Sequence, residues 1–387
     1  MLLYLGWFLA SVLILFGTLG QSRDSQKALV TYFLIALGIF VGLGDMLGGY
    51  DRYIYGELFD RMADVTHRGG NPWLSYSFGY FSGEFGYGTF CALLSYITGN
   101  RYIFIFIATM VIYTLLVISL RQYVDNAPFA VVIFMGLWFF FSFTYLRQVL
   151  GCTVMWLSVK YIIDRNLPLF LLVWFIGFSF HNSCVMFLPM YWVPIKKLNR
   201  QKVVYIMIAA LLIGLSPIPS GLFSAYGEVN SDRMRFNYAS EQGFRIAYFV
   251  EATFFLYVIL SNYHHISNKT KDIVMLNLAL VFCALLLVFV KSENGGRIGW
   301  MFMIGVMCTL SNVCVKNKML LKQGSMLVVV CFFLFFRVCN SWGILLSPYK
   351  TFLTDGYREG DIIRDKFEYD FNYENDKFYR PAFWFLE

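Results

Sequence analysis

Arg147 and His181 are the residues of this chain whose type and position most suggest chemistry. The stretch Phe140-Phe-Ser-Phe-Thr-Tyr145-Leu-Arg147-Gln148 leads into one apolar helix, and a second apolar helix ends at Phe180-His181-Asn182-Ser183. A polar turn, Lys160 to Arg165, separates them, so a chain that enters a bilayer and returns brings both side chains to one face. Ionisable groups at membrane depth are costly unless they face a cavity or a polar ligand. A guanidinium suits phosphate or pyrophosphate, and an imidazole suits proton transfer to or from a hydroxyl near neutrality. The plainer alternatives are an arginine snorkelling to headgroups and a histidine satisfied at the interface.

Other candidates lie on either side. Asp51, with Tyr53 and Tyr55, follows a glycine-rich turn and offers a carboxylate beside rings that could stack on a sugar, or else a solvated loop. Glu84, in Ser82-Gly-Glu-Phe-Gly-Tyr87, stands where a carboxylate suits the dipole of a following helix, a role compatible with a functional one. In Lys291-Ser-Glu-Asn-Gly-Gly-Arg297 the glycines allow close backbone approach to an anion before an arginine that opens a helix. The loop Asn230-Ser-Asp-Arg-Met-Arg235 reads as solvated.

The elements that must position these groups are membrane helices. Of 387 residues, 58% are hydrophobic, 14% are charged, and 41 are Phe, too apolar a balance for a soluble core. Twelve apolar runs are expected to span: 2–20, 28–44, 102–120, 128–144, 148–163, 167–180, 183–195, 203–219, 244–262, 272–290, 297–313 and 325–346. The run 86–98 is too short to cross and is expected to be re-entrant or interfacial. The fold class is therefore all-α, a polytopic transmembrane bundle over 1–346 with outer loops 45–101 and 220–243, and an aromatic outer tail over 347–387. Gly38-Ile-Phe-Val-Gly42 reads as a helix-packing GxxxG. The eight cysteines form no CxxC pair and read as packing residues; no Walker loop, dinucleotide fingerprint or zinc motif is present, and no metal or nucleic-acid partner is expected.

Placing Arg23 and Lys27 on the inner side and alternating twelve spans collects most Lys on inner turns, as the positive-inside rule requires, and accounts for the +7 net charge. The outer side then carries mainly Arg. For Arg52, Arg61 and Arg68 the expected role is pairing with nearby acids. For Arg147, Arg245 and Arg297 it is binding a ligand.

The order of these motifs resembles the EpsG family of Wzy-type exopolysaccharide polymerases. The resemblance rests on Asp51-Arg-Tyr53-Ile-Tyr55, Glu84-Phe-Gly-Tyr87, Arg147-Gln148, Phe180-His181-Asn182-Ser183 and Arg297, over roughly residues 30 to 310. It implies a multi-pass enzyme of the bacterial inner membrane that makes exopolysaccharide, capsule or O-antigen. A glycan would pass from undecaprenyl pyrophosphate onto an incoming lipid-linked repeat at the outer face, without metal, nucleotide or other cofactor. His181 would be the first choice of base, with Asp51 or Glu84 second. Arg147, Gln148, Arg245, Arg297 and Asn182 would hold pyrophosphate or sugar, and Tyr53 and Tyr55 would stack on sugar rings. The bilayer and lipid-linked oligosaccharides are the implied partners, with room for a chain-length regulator. Other readings of the same residues are a different lipid-linked-glycan transferase or ligase, or a flippase. Against a flippase, the charged groups gather at one face rather than at the midplane.

Overall fold

The computed structural model describes the chain except for residues 45–50, 222–242, 293–294, 317, 348, 354–378 and 387. The Asn230–Arg235 loop, Glu293 and most of the aromatic tail thus lie outside the described residues. What is described is all-α apart from one two-stranded hairpin, Val315–Lys316 with Met319–Leu320. Among the described residues, five helices are long and apolar enough to cross a membrane: Arg23–Leu43, Arg101–Tyr123, Thr270–Val288, Gly295–Cys314 and Lys322–Ser341. Several further apolar helices are shorter.

The helices are named in order: α1 Leu2–Thr18, α2 Arg23–Leu43, α3 Arg52–His67, α4 Tyr76–Tyr80, α5 Phe85–Ser95, α6 Arg101–Tyr123, α7 Ala127–Leu137, α8 Leu146–Ile163, α9 Leu167–Phe180, α10 Arg200–Leu215, α11 Ile246–Ser261, α12 Thr270–Val288, α13 Met303–Cys314 and α14 Lys322–Ser341. Helix α7 is buried along its whole length, as expected of a helix that is apolar all round. Helices α10 and α14 lie at the edge and expose large apolar side chains, among them Tyr205, Ile208, Leu212, Phe332, Phe333 and Phe336. That is the surface a bilayer covers. All eight cysteines are buried and free.

The polar turns fall into two sets. In one, Asp125 pairs with Arg23 at 3.3 Å and Lys271 at 3.2 Å, Lys27 donates to Arg121 O at 2.7 Å, Lys197 to Ile266 O at 2.7 Å and Lys318 to Gly20 O at 3.0 Å. Arg165 Nη1 donates to Tyr191 O in the same set. These are the lysine-rich turns. In the other set, Arg52 Nη2 caps the end of α2 through Val41 O, Gly42 O and Gly44 O, and Asp51 N–H donates to Thr144 Oγ1 at 2.6 Å. Phe352 N–H there reaches Leu43 O at 2.8 Å, and Trp384 N–H reaches Ile97 O at 3.1 Å. Every candidate residue belongs to this second set of turns. Both ends of α5 do too, since Glu84 pairs with Arg147 and Trp384 Nε1 donates to Ser95 O.

One connection between the two sets is unusual. Asn182–Tyr191 is a 3-10 helix of 10 residues with Pro189 inside it. A run of that length is uncommon, because 3-10 hydrogen bonds are poorly aligned.

Candidate active site

Three side chains from three elements meet because small residues let the elements touch. Gly151, one turn into α8 beyond Arg147, faces Gly177, one turn before His181 in α9; a methyl on Gly151 would lie 2.9 Å from Cys184 Sγ and 3.2 Å from Gly177 O. Gly86, two residues after Glu84, packs directly on Ser179, where a methyl would collide with the serine side chain. Close approach of this kind is what small residues supply between membrane helices. The GxxxG of α2 serves the neighbouring contact, with Gly38 and Gly42 set against Tyr113 and Phe106 of α6.

Glu84 is the centre of the result. It is 7% exposed, at the junction between a 3-10 turn, Ser82–Glu84, and the start of α5. Its Oε2 pairs with Arg147 Nη1, its Oε1 accepts Asn182 N–H at 3.2 Å, and His181 Nε2 lies 3.6 Å from the same oxygen. The last distance is too long for a direct hydrogen bond and leaves the two groups facing across a narrow gap. Arg147 also donates through Nε to Tyr55 OH at 3.4 Å, with its guanidinium 5.5 Å from the rings of both Tyr55 and Phe81. A cation in the first turn of a helix opposes the dipole. Arg147 is held there by Glu84 and the two rings, at a cost to α8 that packing alone does not explain.

His181 has a defined tautomer. Ser183 N–H donates to Nδ1 at 3.2 Å, which makes that nitrogen an acceptor and leaves the hydrogen on Nε2, facing Glu84. Ser183 Oγ lies 2.6 Å from the same Nδ1 and 3.4 Å from Gln148 Nε2. Gln148, 1% exposed, in turn donates to Arg297 O at 3.0 Å and accepts Arg297 Nε at 3.0 Å. Arg297 lies 3.9 Å above the Tyr145 ring and 5.5 Å from that of Trp300. A polar path therefore runs Arg147, Glu84, His181, Ser183, Gln148, Arg297, with a narrow gap between Glu84 and His181.

Burial pushes the His181 imidazole down to about 4; Glu84 opposes this, and Arg147 and Arg297 add to it. The folded chain prefers the neutral ring while the unfolded chain takes up a proton below about 6.5. Stability contributed by His181 is thus fully present above that pH and falls as pH drops from about 6.5 toward 4. Thermal unfolding across this window should show a steeper acid loss in the wild type than in His181→Gln, with the two curves parallel above pH 7.

The remaining candidates are placed as follows. Asp51 precedes α3 with its N–H on Thr144, near the start of α8. Tyr53 lies against Arg101, 5.4 Å from its guanidinium. Arg245 opens α11, with its N–H on Val290 O at 2.7 Å. Of the arginines expected to pair, Arg61 does so with Glu57 at 2.5 Å. Arg147, expected to have few acids nearby, also has one, because Glu84 is close in space and distant in sequence. Residues not foreseen in the site are Ser183, Tyr145 and Phe81. The His181-x-Ser183 spacing and the adjacency of Tyr145 to Arg147 were the available signals. A larger cavity of about 400 Å³, lined by Arg23, Asp125, Asn312 and Lys318 among others, lies at the opposite, lysine-rich end and takes no part in this cluster.

Comparison with known proteins agrees with the motif order. No curated protein and no solved structure matches the chain. The EpsG family model matches residues 29–351, a stretch that contains every residue of the polar path. The chain belongs to the EpsG family.

Proposed function

We propose that this multi-pass membrane protein is a polysaccharide polymerase that moves a glycan from undecaprenyl pyrophosphate onto an incoming lipid-linked repeat. We place the reaction at the outer face of the bacterial inner membrane, in a bundle that crosses twelve times. Family membership supports a membrane polysaccharide polymerase. The observation that carries the finer reading is the path from Arg147 through Glu84 and His181 to Arg297 at the end away from the lysine-rich turns. The gathering of lysines at the other end supports the orientation.

In the proposed reaction the acceptor hydroxyl oxygen bonds to the anomeric carbon as that carbon's bond to the pyrophosphate oxygen breaks. The hydroxyl proton goes to the Glu84–His181 pair. With Nδ1 occupied by Ser183 N–H and a hydrogen on Nε2, His181 is better suited to orient the hydroxyl, and Glu84 Oε1 to accept its proton. The charge developing on the leaving pyrophosphate meets Arg147 and Arg297. Such preorganised cations act strongly in a water-poor site. A base and a leaving group on opposite faces of the sugar give inversion in one displacement.

The test is incubation of purified protein with lipid-linked repeats and no other enzyme. Wild type should form a ladder, and Arg147→Lys, which keeps the charge and loses the fork, should slow it by about 100-fold. Addition of single sugars without a ladder would make the protein a different transferase. A normal ladder from Arg147→Lys would remove Arg147 from the chemistry.

A further inference from the structure

Arg297 has a second side, turned away from Gln148. It borders a cavity of about 190 Å³ among α7, α11, α12 and α14, whose polar lining includes Tyr145, Tyr248, Glu251, Arg297, Trp300 and Arg337. The rest of the wall is mostly aliphatic and aromatic. Arg337 comes from α14, four residues before its end, with 57% of its side chain exposed. The same helix exposes Phe332, Phe333 and Phe336, so this guanidinium stands at the edge of an apolar surface. Among the described residues it pairs with Glu251 of α11, with Nη2 to Oε1 at 3.9 Å, at the limit of an ion pair.

We propose that this cavity is a lateral seat for a phosphate-headed isoprenoid lipid. The headgroup sits between Arg297 and Arg337, and the hydrocarbon lies along the exposed phenylalanines of α14. This rests on the function proposed above and names where its carrier lipid enters. Among the described lining residues two guanidiniums face one carboxylate, and their planar donors match phosphate oxygens. The cavity is smaller than the roughly 300 Å³ at which ordinary ligand pockets begin, which suits a headgroup rather than a glycan. An arginine near the end of a lipid-facing helix reaches the level of the lipid headgroups, where phosphate is met. Arg297 joins the seat to the polar path, so a lipid held here keeps its phosphate on one of the two arginines that meet the leaving pyrophosphate, without leaving the bilayer.

The test uses the full chain in phosphatidylcholine nanodiscs, with farnesyl pyrophosphate as probe, measured by competition against a fluorescent analogue. Arg337→Gln should weaken binding by about tenfold, the usual effect of losing one charge-assisted contact. Glu251→Gln should tighten it, because the carboxylate competes with phosphate for Arg337; a merely misfolded variant does not bind more tightly. Farnesol should not compete. Wild-type affinity in Arg337→Gln, or equal weakening in Glu251→Gln, would overturn the seat. Equal competition by phosphatidylglycerol would reduce it to an ordinary headgroup contact and overturn it likewise. Binding lost in Arg147→Ala and unchanged in Arg337→Gln would overturn the seat and leave the proposed function standing. Failure of the wild type to bind would overturn both.

Discussion

Glu84→Gln should fold normally and form polymer at about one hundredth of the wild-type rate or less, the usual effect of removing a positioned acid–base group. The amide keeps the shape of the carboxylate and can still accept Asn182 N–H and contact Arg147. What it loses is the charge opposite Arg147 and the proton acceptor facing His181. Glu84→Ala removes the shape as well. It leaves the Arg147 side chain, 25% exposed, without its carboxylate, at a cost of about 3 kcal/mol. Comparing initial ladder rates with unfolding temperatures separates the two effects: the amide should be slow and stable, the alanine slow and less stable. Asp51→Asn is the comparison, at a carboxylate whose residue donates its backbone N–H to Thr144 at the start of α3; its rate should fall by less than about tenfold. A Glu84→Gln protein that polymerises at the normal rate would remove Glu84 from the chemistry.

The largest loss of stability is expected at a site outside the polar path. Arg101 opens α6 with its side chain fully buried, bonded to Asp60 Oδ2 through Nε at 2.8 Å and Nη2 at 2.5 Å. Asp60 Oδ1 accepts Tyr379 OH at 2.7 Å, and Arg380 reaches Asp64 Oδ1 at 2.7 Å and Gly99 O at 3.2 Å. Trp384 completes the contact by stacking on His67, with ring centres 4.6 Å apart. Asp60→Ala takes this carboxylate from a buried guanidinium, and about 3–5 kcal/mol should be lost. Residues 379–386 should also become accessible to limited proteolysis, read by mass spectrometry of the released peptides. Replacing both Asp60 and Arg101 by Leu should recover much of the stability, since a buried pair replaced by apolar groups is often neutral. Asp64→Ala, at an exposed partner, should cost no more than about 1 kcal/mol. An Asp60→Ala protein as stable as wild type would show that burial of Arg101 is not what holds this corner together.

The one-dimensional pattern carried the class of the fold because lipid imposes a simple rule on composition, and the lysines it sorted to one set of turns do gather at one end of the molecule. Glu84, Arg147 and His181 were legible as types in suggestive places. Their convergence was not, since it depends on Gly86 meeting Ser179 and Gly151 meeting Gly177, contacts that no local pattern announces. Gln148 finds Arg297 across 149 residues, a pairing that separation in sequence conceals. Asp60, Arg101 and Tyr379 were visible only as unrelated charges and an aromatic tail. Arg52 looked like half of an ion pair, and nothing in that expectation showed that its Nη2 binds three carbonyls at the end of a helix.

The 3-10 segment from Asn182 to Tyr191 bears on how chains of this sort are counted. Each of its residues advances about 2.0 Å, against about 1.5 Å in an α-helix. Its 10 residues therefore reach as far as about thirteen α-helical ones, linking the Glu84 end of the molecule to the Arg165 end. A tally that converts residue number into thickness at the α-helical rate undervalues such a stretch. In this architecture, distance travelled is set by winding as much as by length, and a short tightly wound strut can do the work of a longer helix.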